Sequence, residues 1–229
     1  MRMVIARCSV SYAGRLDPMA EGVMLCLVGS ANKRREEYLD LPKEYVVDIM
    51  FGFSTDTYDI LGRVMETGEA TKLNRKIVEK GLNEFRGSVS QEYPPFSSKT
   101  VEGKSLFEWA RSGTIGALVL PRRTVTIKEL DVTALYKISE PMLLNYIEKS
   151  VDKVDGDFRQ EEILSTWHRN LKKGGDRQFK CATVRVDCSS GTYVRSIAQG
   201  LVLALGCPAL ALPILRTTVG ADRFRKSHK

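Results

Sequence analysis

The sequence predicts one mixed α/β domain interrupted by a helical insertion. Three observations carry this: strand-like alternation at 43–51, a second alternating run at 181–188 that turns directly into a striped helix, and helical periodicity across 140–178. With 229 residues, 43% of them hydrophobic, the chain can bury a sizeable core as one domain spanning 1–229. No internal repeat, low-complexity tract or interdomain linker divides it.

The elements follow in order. After Asp17-Pro18, the apolar run 22–27 is compatible with a buried strand or a short helix. In "KEYVVDIMFG", Tyr45, Val47, Ile49 and Phe51 share one face of an extended chain, and Val46, Asp48 and Met50 the other. "STDTYDILGRV" reads as an Asx-type turn leading to a second strand near Met65, and so to a hairpin. Asn74 caps a helix with Val78, Leu82 and Phe85 on its apolar side, ended by Gly87, and "KSLFEWARSG" is a shorter helix ended by Gly113. Between them Pro94-Pro95 forbids regular helix and favours an extended loop. "RRTVTIKELDVTALYKI" alternates as a strand. In 140–178, Leu143, Ile147, Val151 and Val154 form one stripe and Leu164, Trp167 and Leu171 another, divided at Gly156. Ala182, Val184, Val186 and Cys188 then alternate with polar residues. Ser189 to Gly191 turn this strand into a helix striped by Ile197, Leu201, Ala204 and Leu205 and stopped by Gly206. Tyr193 and Arg195 sit at that strand-to-helix junction, where side chains and free N–H groups meet ligands.

Charge and rare residues narrow the function. Lys plus Arg number 35 against 28 Asp plus Glu, a net charge of +7 that favours a polyanionic partner, nucleic acid first. The excess is concentrated from Arg216 onward, with Arg223, Arg225, Lys226 and Lys229 opposed by Asp222 alone. Five cysteines form no CxxC pair and read as reduced, mostly buried thiols. Two histidines, His168 and His228, give a histidine zinc site or a Ser-His-Asp triad little to work with. No apolar run approaches a membrane span, and the start "MRMVIARCSVSY" lacks a signal-peptide core, so the expected compartment is the cytoplasm.

Four blocks in order resemble the TruB family of tRNA pseudouridine synthases: "AGRLDPMAEGVMLCLVGSANK", "KEYVVDIMFGFSTDTYDILGRV", "YPPFSSKTVEGKSLFEWARSG" and "VDCSSGTYVRSIAQGLVLALGCPALALPILRTTVG". The resemblance spans most of 13–220 apart from 140–178. It implies the pseudouridine synthase fold, an α+β arrangement with a central, mainly antiparallel sheet flanked by helices. It also implies an isomerase that converts uridine 55 of the tRNA T-loop to pseudouridine, with no cofactor and no metal. The expected partner is the T-arm of tRNA, with no membrane, and the expected state is a monomer. By position, Asp17 matches the family's essential aspartate, which attacks the nucleotide or relieves charge in the opened sugar; whether it adds to the ribose or deprotonates it stays open. Tyr45 matches the tyrosine that stacks on the base, and Arg195 the arginine that pairs with the aspartate. Tyr193 matches a pocket-lining tyrosine. Lys99, Lys104, Arg111 and Arg216 with the terminal cluster are candidate phosphate contacts.

Three departures accompany the resemblance. Only sixteen residues precede Asp17, so an edge of the family fold is expected to be missing or the start truncated. Tyr12 stands five positions before Asp17, where the family has a histidine used to wedge the T-loop, and its ring can still stack. The sequence stops soon after its Leu-Arg ending, so the C-terminal PUA-type domain common in the family is expected to be absent. Two competing readings differ in class. A non-catalytic tRNA-binding or tRNA-folding protein would keep the scaffold, and a metal-dependent phosphodiesterase would use Asp17, Asp56 and Asp59. The second is disfavoured because Asp56 and Asp59 belong to a turn pattern.

Overall fold

The alternation at 43–51 becomes the middle of the main sheet in the computed structural model, which describes residues 8–224. Arg225, Lys226, His228 and Lys229, singled out above, lie outside the described residues, as do residues 1–7. In chain order the strands are β1 (Val10–Ala13), β2 (Ala20–Gly22), β3 (Leu25–Val28), β4 (Lys43–Phe51), β5 (Phe53–Thr55), β6 (Val64–Thr67), β7 (Gly87–Glu92), β8 (Thr100–Val101), β9 (Lys104–Ser105), β10 (Arg122–Ser139), β11 (Gln178–Cys188), β12 (Ala209–Val219) and β13 (Asp222–Arg223). The helices are α1 (Arg35–Leu39), α2 (Arg75–Leu82), α3 (Leu106–Arg111), α4 (Glu140–Asp152), α5 (Gln160–Asn170) and α6 (Val194–Leu205).

The seven-stranded sheet runs β13-β12-β4-β11-β10-β7, with β2 added against β12. Every pairing is antiparallel except β2 with β12. The open run 22–27 resolves into the end of β2 and the start of β3, because Gly22 turns the chain between the main sheet and a separate β1–β3 ribbon. The hairpin expected between the 43–51 strand and one near Met65 forms instead between the short β5 and β6, with Ser54 and Thr55 in strand and not in the turn, while β4 pairs with β11 and β12. Asn74 caps α2 by accepting from the Ile77 amide at 3.1 Å. Ser105 and Glu108 close a capping box on α3.

The two faces of the sheet bury different things. Tyr45, Val47, Ile49 and Phe51 pack with Val184, Val186 and Ile214 beneath Ile197 and Leu201 of α6 and Val78 and Leu82 of α2. Met50, Phe53 and Leu210 pack beneath the insertion, against Leu143, Ile147, Ile163 and Trp167. Trp167 is fully buried, so the insertion is part of the core, and its truncation to Ala belongs to the roughly 3–5 kcal/mol class of core losses.

One strand lay outside the sequence reading, and the cysteines are, as expected, mostly buried. The stretch 209–219 is a central strand that its composition did not reveal. Pro213 sits inside it and removes a ladder donor, which the structure accommodates as a break in register between Ala211 and Ile214. Three cysteines are buried, but Cys8 and Cys26 are exposed, Cys26 on the β1–β3 ribbon. Among the described residues no helix is long and apolar enough to cross a membrane.

Candidate active site

Asp17 lies in the loop between β1 and β2, and glycine geometry and one arginine fix that loop. Gly14 adopts φ +79°, which lets the chain reverse after β1. Gly22 adopts φ +113°, and a Cβ there would stand 2.1 Å from the Arg216 carbonyl oxygen, so only glycine lets β2 lie against β12. Arg216 returns the contact with its side chain. Its Nε donates to the Val23 carbonyl at 2.7 Å and its Nη2 to the Gly14 carbonyl at 3.1 Å. Both ends of the loop are therefore tied to one strand.

Arg195 then takes the carboxylate of Asp17 in a two-point grip. Its Nε donates to Oδ2 at 2.8 Å and its Nη2 to Oδ1 at 2.9 Å. Nη1 also donates to the Thr57 carbonyl at 2.6 Å, and Nη2 to the Phe96 carbonyl at 3.3 Å. Asp59 approaches the same guanidinium at 3.4 Å. Arg195 and Asp59 are each 3% exposed, whereas Asp17 keeps 26% of its side chain open. The exposed carboxylate therefore faces the cleft while its support is sealed behind it.

The electrostatics follow from that layering. Burial pushes Asp59 up to about 6, and Arg195 together with the Thr57 hydroxyl and Leu61 amide oppose this without cancelling it. Burial alone would lower Arg195, but Asp17 and Asp59 outweigh it and hold the guanidinium charged. Burial also pushes Tyr45 up to about 12, so near neutral pH it is a protonated phenol able to donate. Lys43 is lowered by burial and by Arg216, and its ammonium is held by the Leu39 and Leu41 carbonyls at 3.0 and 2.7 Å.

These groups share a cleft of about 740 Å³, a size suited to a nucleotide-scale ligand. Asp17, Tyr45, Arg195, Tyr193 and Arg216 all line it. Tyr193 packs edge-on against Tyr93, with centroids 5.6 Å apart. Tyr12 and the two lysines lie elsewhere. Tyr12 is exposed on the β1–β3 ribbon, where its hydroxyl accepts from Arg15 at 3.0 Å, and Arg15 reaches the cleft wall. Lys99 and Lys104 are exposed beyond the rim, over the rings of Tyr93 and Trp109 at 5.5 and 5.1 Å. Arg111 pairs with Asp157. Arg216, grouped above with the phosphate contacts, is 1% exposed and holds loop carbonyls.

Sequence reasoning missed several residues here. Asp59 and Thr57 back the arginine, although "TDTYD" was read as a turn and a family block, with Asp59 otherwise named only in the phosphodiesterase alternative. Phe96, Phe107 and Phe158 form an aromatic wall, and Arg123 adds a further cation that packs over Gly191. Phe96 and Phe107 lie in one quoted block, but Phe158 comes from the insertion about fifty positions later, and no local pattern joins it to them. Asp17 and Asp59 face Arg195, while Asp56 accepts from Arg63 and Arg159 at 3.0 and 2.7 Å. All three acids of the phosphodiesterase reading are thus engaged by arginines, a donor set poor for a cation.

The sheet that carries this cleft has a counterpart in fold. The chain superposes on a solved chain of a Cbf5-Nop10-Gar1 complex with a TM-score of 0.52, at 19% identity, over 94% of its own length and 41% of that longer chain. The class is that of the pseudouridine synthase fold. Residues 2–152 match the N-terminal domain of the TruB family pseudouridylate synthases. The chain is 30% identical over 223 residues to tRNA pseudouridine synthase B of Bacteroides thetaiotaomicron, covering 97% of itself and 76% of that protein. It is 32% identical over 220 residues to the protein of the same name from Gloeobacter violaceus, covering 96% of itself and 61% of that protein. It belongs to the TruB family, and is an isomerase of the pseudouridine synthase kind.

Proposed function

We propose that this protein converts uridine 55 in the T-loop of tRNA to pseudouridine, acting as a monomer in the cytoplasm, with Asp17 as the catalytic residue. The observation that supports this most is the two-point Arg195–Asp17 pair at 2.8 and 2.9 Å, open on one side to an aromatic-walled, basic cleft. Relatives named tRNA pseudouridine synthase B supply the substrate class.

The chemistry balances within one nucleotide. The bond from the ribose to the base nitrogen breaks, the base turns, and C5 bonds to the sugar in its place. A proton leaves C5 and one is gained at the freed nitrogen, so nothing is added or lost. The chain's part is to hold a carboxylate aimed at the ribose and to keep the base stacked while it is detached. Arg195 keeps Asp17 ionised and fixes both of its oxygens. Tyr45 offers a ring and a protonated hydroxyl to the base. Extruding the uridine costs a few kcal/mol, which stacking on the aromatic wall and phosphate contacts from the basic rim offset.

The test is to incubate the protein and its Asp17→Asn variant with a uridine-containing T-arm transcript and count pseudouridine by position. Wild type is expected to modify the T-loop uridine, and the variant to be slower by on the order of 10³ or more. Equal yields, or none from wild type, would leave the tRNA-binding alternative.

A further inference from the structure

We infer that Arg159, at the start of α5, is a positioning residue for the isomerisation. By binding Asp56 and covering Phe96 together, it holds the two backbone carbonyls, Thr57 and Phe96, on which Arg195 rests. This inference rests on the proposed function for its kinetic consequence, though not for its structural one.

The insertion reaches the site along two routes that meet at this residue. From behind, α5 is bonded to the turn that carries Thr57 and Asp59. The indole of Trp167 donates to the Ile60 and Gly62 carbonyls at 3.2 Å each, and the Thr166 hydroxyl accepts from the Val64 amide at 3.1 Å. From the side, the α4–α5 loop holds the cleft wall. Phe158 stacks on Phe107 with centroids 6.3 Å apart, Phe107 meets Phe96 at 6.2 Å, and Arg111 donates to the Asp157 carbonyl at 3.0 Å.

Arg159 closes the circuit between them. Its Nη1 donates to Asp56 Oδ2 at 2.7 Å, and its guanidinium lies 4.2 Å from the centroid of the Phe96 ring. Asp56 is also fixed by the Arg63 amide and Nε at 2.9 and 3.0 Å, so it is a rigid acceptor one residue before Thr57. Phe96 presents its ring to Arg159, and its carbonyl accepts from Arg195. One side chain thus touches a neighbour of each of the two carbonyls that orient the catalytic arginine.

Two features mark this as more than packing. Arg159 has φ +63°, ψ +31°, the left-handed region that a residue with a long side chain adopts only where its surroundings over-determine it. Its side chain is 10% exposed, and Nη2 is buried with no hydrogen-bond partner among the described residues. A buried donor left unpaired is disfavoured. Its retention fits a guanidinium oriented by the ring and by Asp56 together and not by a full set of acceptors.

The experiment uses the full chain with Arg159→Ala, Arg159→Lys and, as control, Glu162→Ala, which removes the exposed Arg63–Glu162 link between insertion and turn without touching Phe96. Single-turnover rates at saturating T-arm transcript are expected to fall on the order of tenfold in Arg159→Ala, with the half-saturating concentration changing much less. Arg159→Lys keeps a charge on Asp56 but has no planar face for Phe96, so it should recover only part of the rate. Glu162→Ala should match wild type. Independently of activity, hydrogen exchange of the Leu106 and Phe107 amides, bonded to Lys99 and Ser97 carbonyls at 2.8 and 3.1 Å, should quicken in Arg159→Ala while β4 and β11 stay protected. If Arg159→Ala fails to fold, Arg159→Lys carries both readouts. An unchanged rate, unchanged exchange at those amides, or a uniform rise that includes β4 overturns the inference. A wild type inactive on every RNA overturns the proposed function instead, and the exchange comparison still decides the structural part.

Discussion

Arg185 and Arg195 stand ten positions apart, one on β11 and one at the start of α6, and each faces more than one carboxylate. Arg185 meets Glu129 at 2.7 Å, Asp131 at 2.9 Å and Glu44 at 3.4 Å on the outer face of the sheet, with 37% of its side chain exposed. Arg195 meets Asp17 and Asp59 with 3% exposed and adds two backbone carbonyls. The residue types match, but water reaches the first cation and is kept from the second. The difference teaches that a charge cluster becomes an instrument when its cation is desolvated and its geometry is fixed on every side, while the same chemistry in solvent is nearly neutral in energy.

Removing the two cations is the sharpest way to break that comparison. Arg195→Ala would leave Asp59 buried beside an empty space and cost about 3–5 kcal/mol, read as a lowered urea midpoint, with activity lost as well. A loss no larger than that of Arg185→Ala would end the distinction.

An intermediate effect concerns pH. Asp59 is raised from an ordinary 3.8 to about 6 by burial, so its folded form holds a proton that the unfolded chain has already released between those values. Its contribution is therefore most favourable below pH 4, weakens as pH rises, and is fully lost above 6. The stability difference between wild type and Asp59→Asn should change by on the order of 2 kcal/mol across that window, measured by denaturant titration at each pH. Glu140 provides the opposite sign. Hydrogen bonds from Arg177 hold it down to about 2, so its contribution is present above pH 4.5 and fades only as pH falls towards 2. A flat difference for Asp59→Asn between pH 4 and 6 would mean that the carboxylate is not desolvated.

The smallest expected effect is that of Arg185→Ala, less than about 1 kcal/mol and smaller still at high salt. A larger value would show that the outer cluster is cooperative.

The same contrast explains what could be read from the chain. Strands β4 and β11 and helix α6 were legible because one face of each is buried and their periods are unbroken, as in Val184, Val186 and Cys188 or Ile197 and Leu201. β12 was not, because Pro213 and a register break conceal a central strand that is buried on both faces through Ala209, Leu210, Ala211 and Leu212. That Asp17, Tyr45 and Arg195 share one cleft was expected through resemblance alone, since an Asp before a Pro carries no local sign of the arginine 178 positions later. The structural contacts of Arg216 were hidden for the converse reason. Its neighbours in sequence are basic and polar, but its neighbours in space are the loop carbonyls of Gly14 and Val23.

That last contact sets an order of events during synthesis. The Asp17 loop is made well before its partners: Arg216 and the strand that receives β2 follow some two hundred residues afterwards. Nascent chains ending before β12 carry this loop without its clamp, so the loop takes its anchored form only once β12 has emerged.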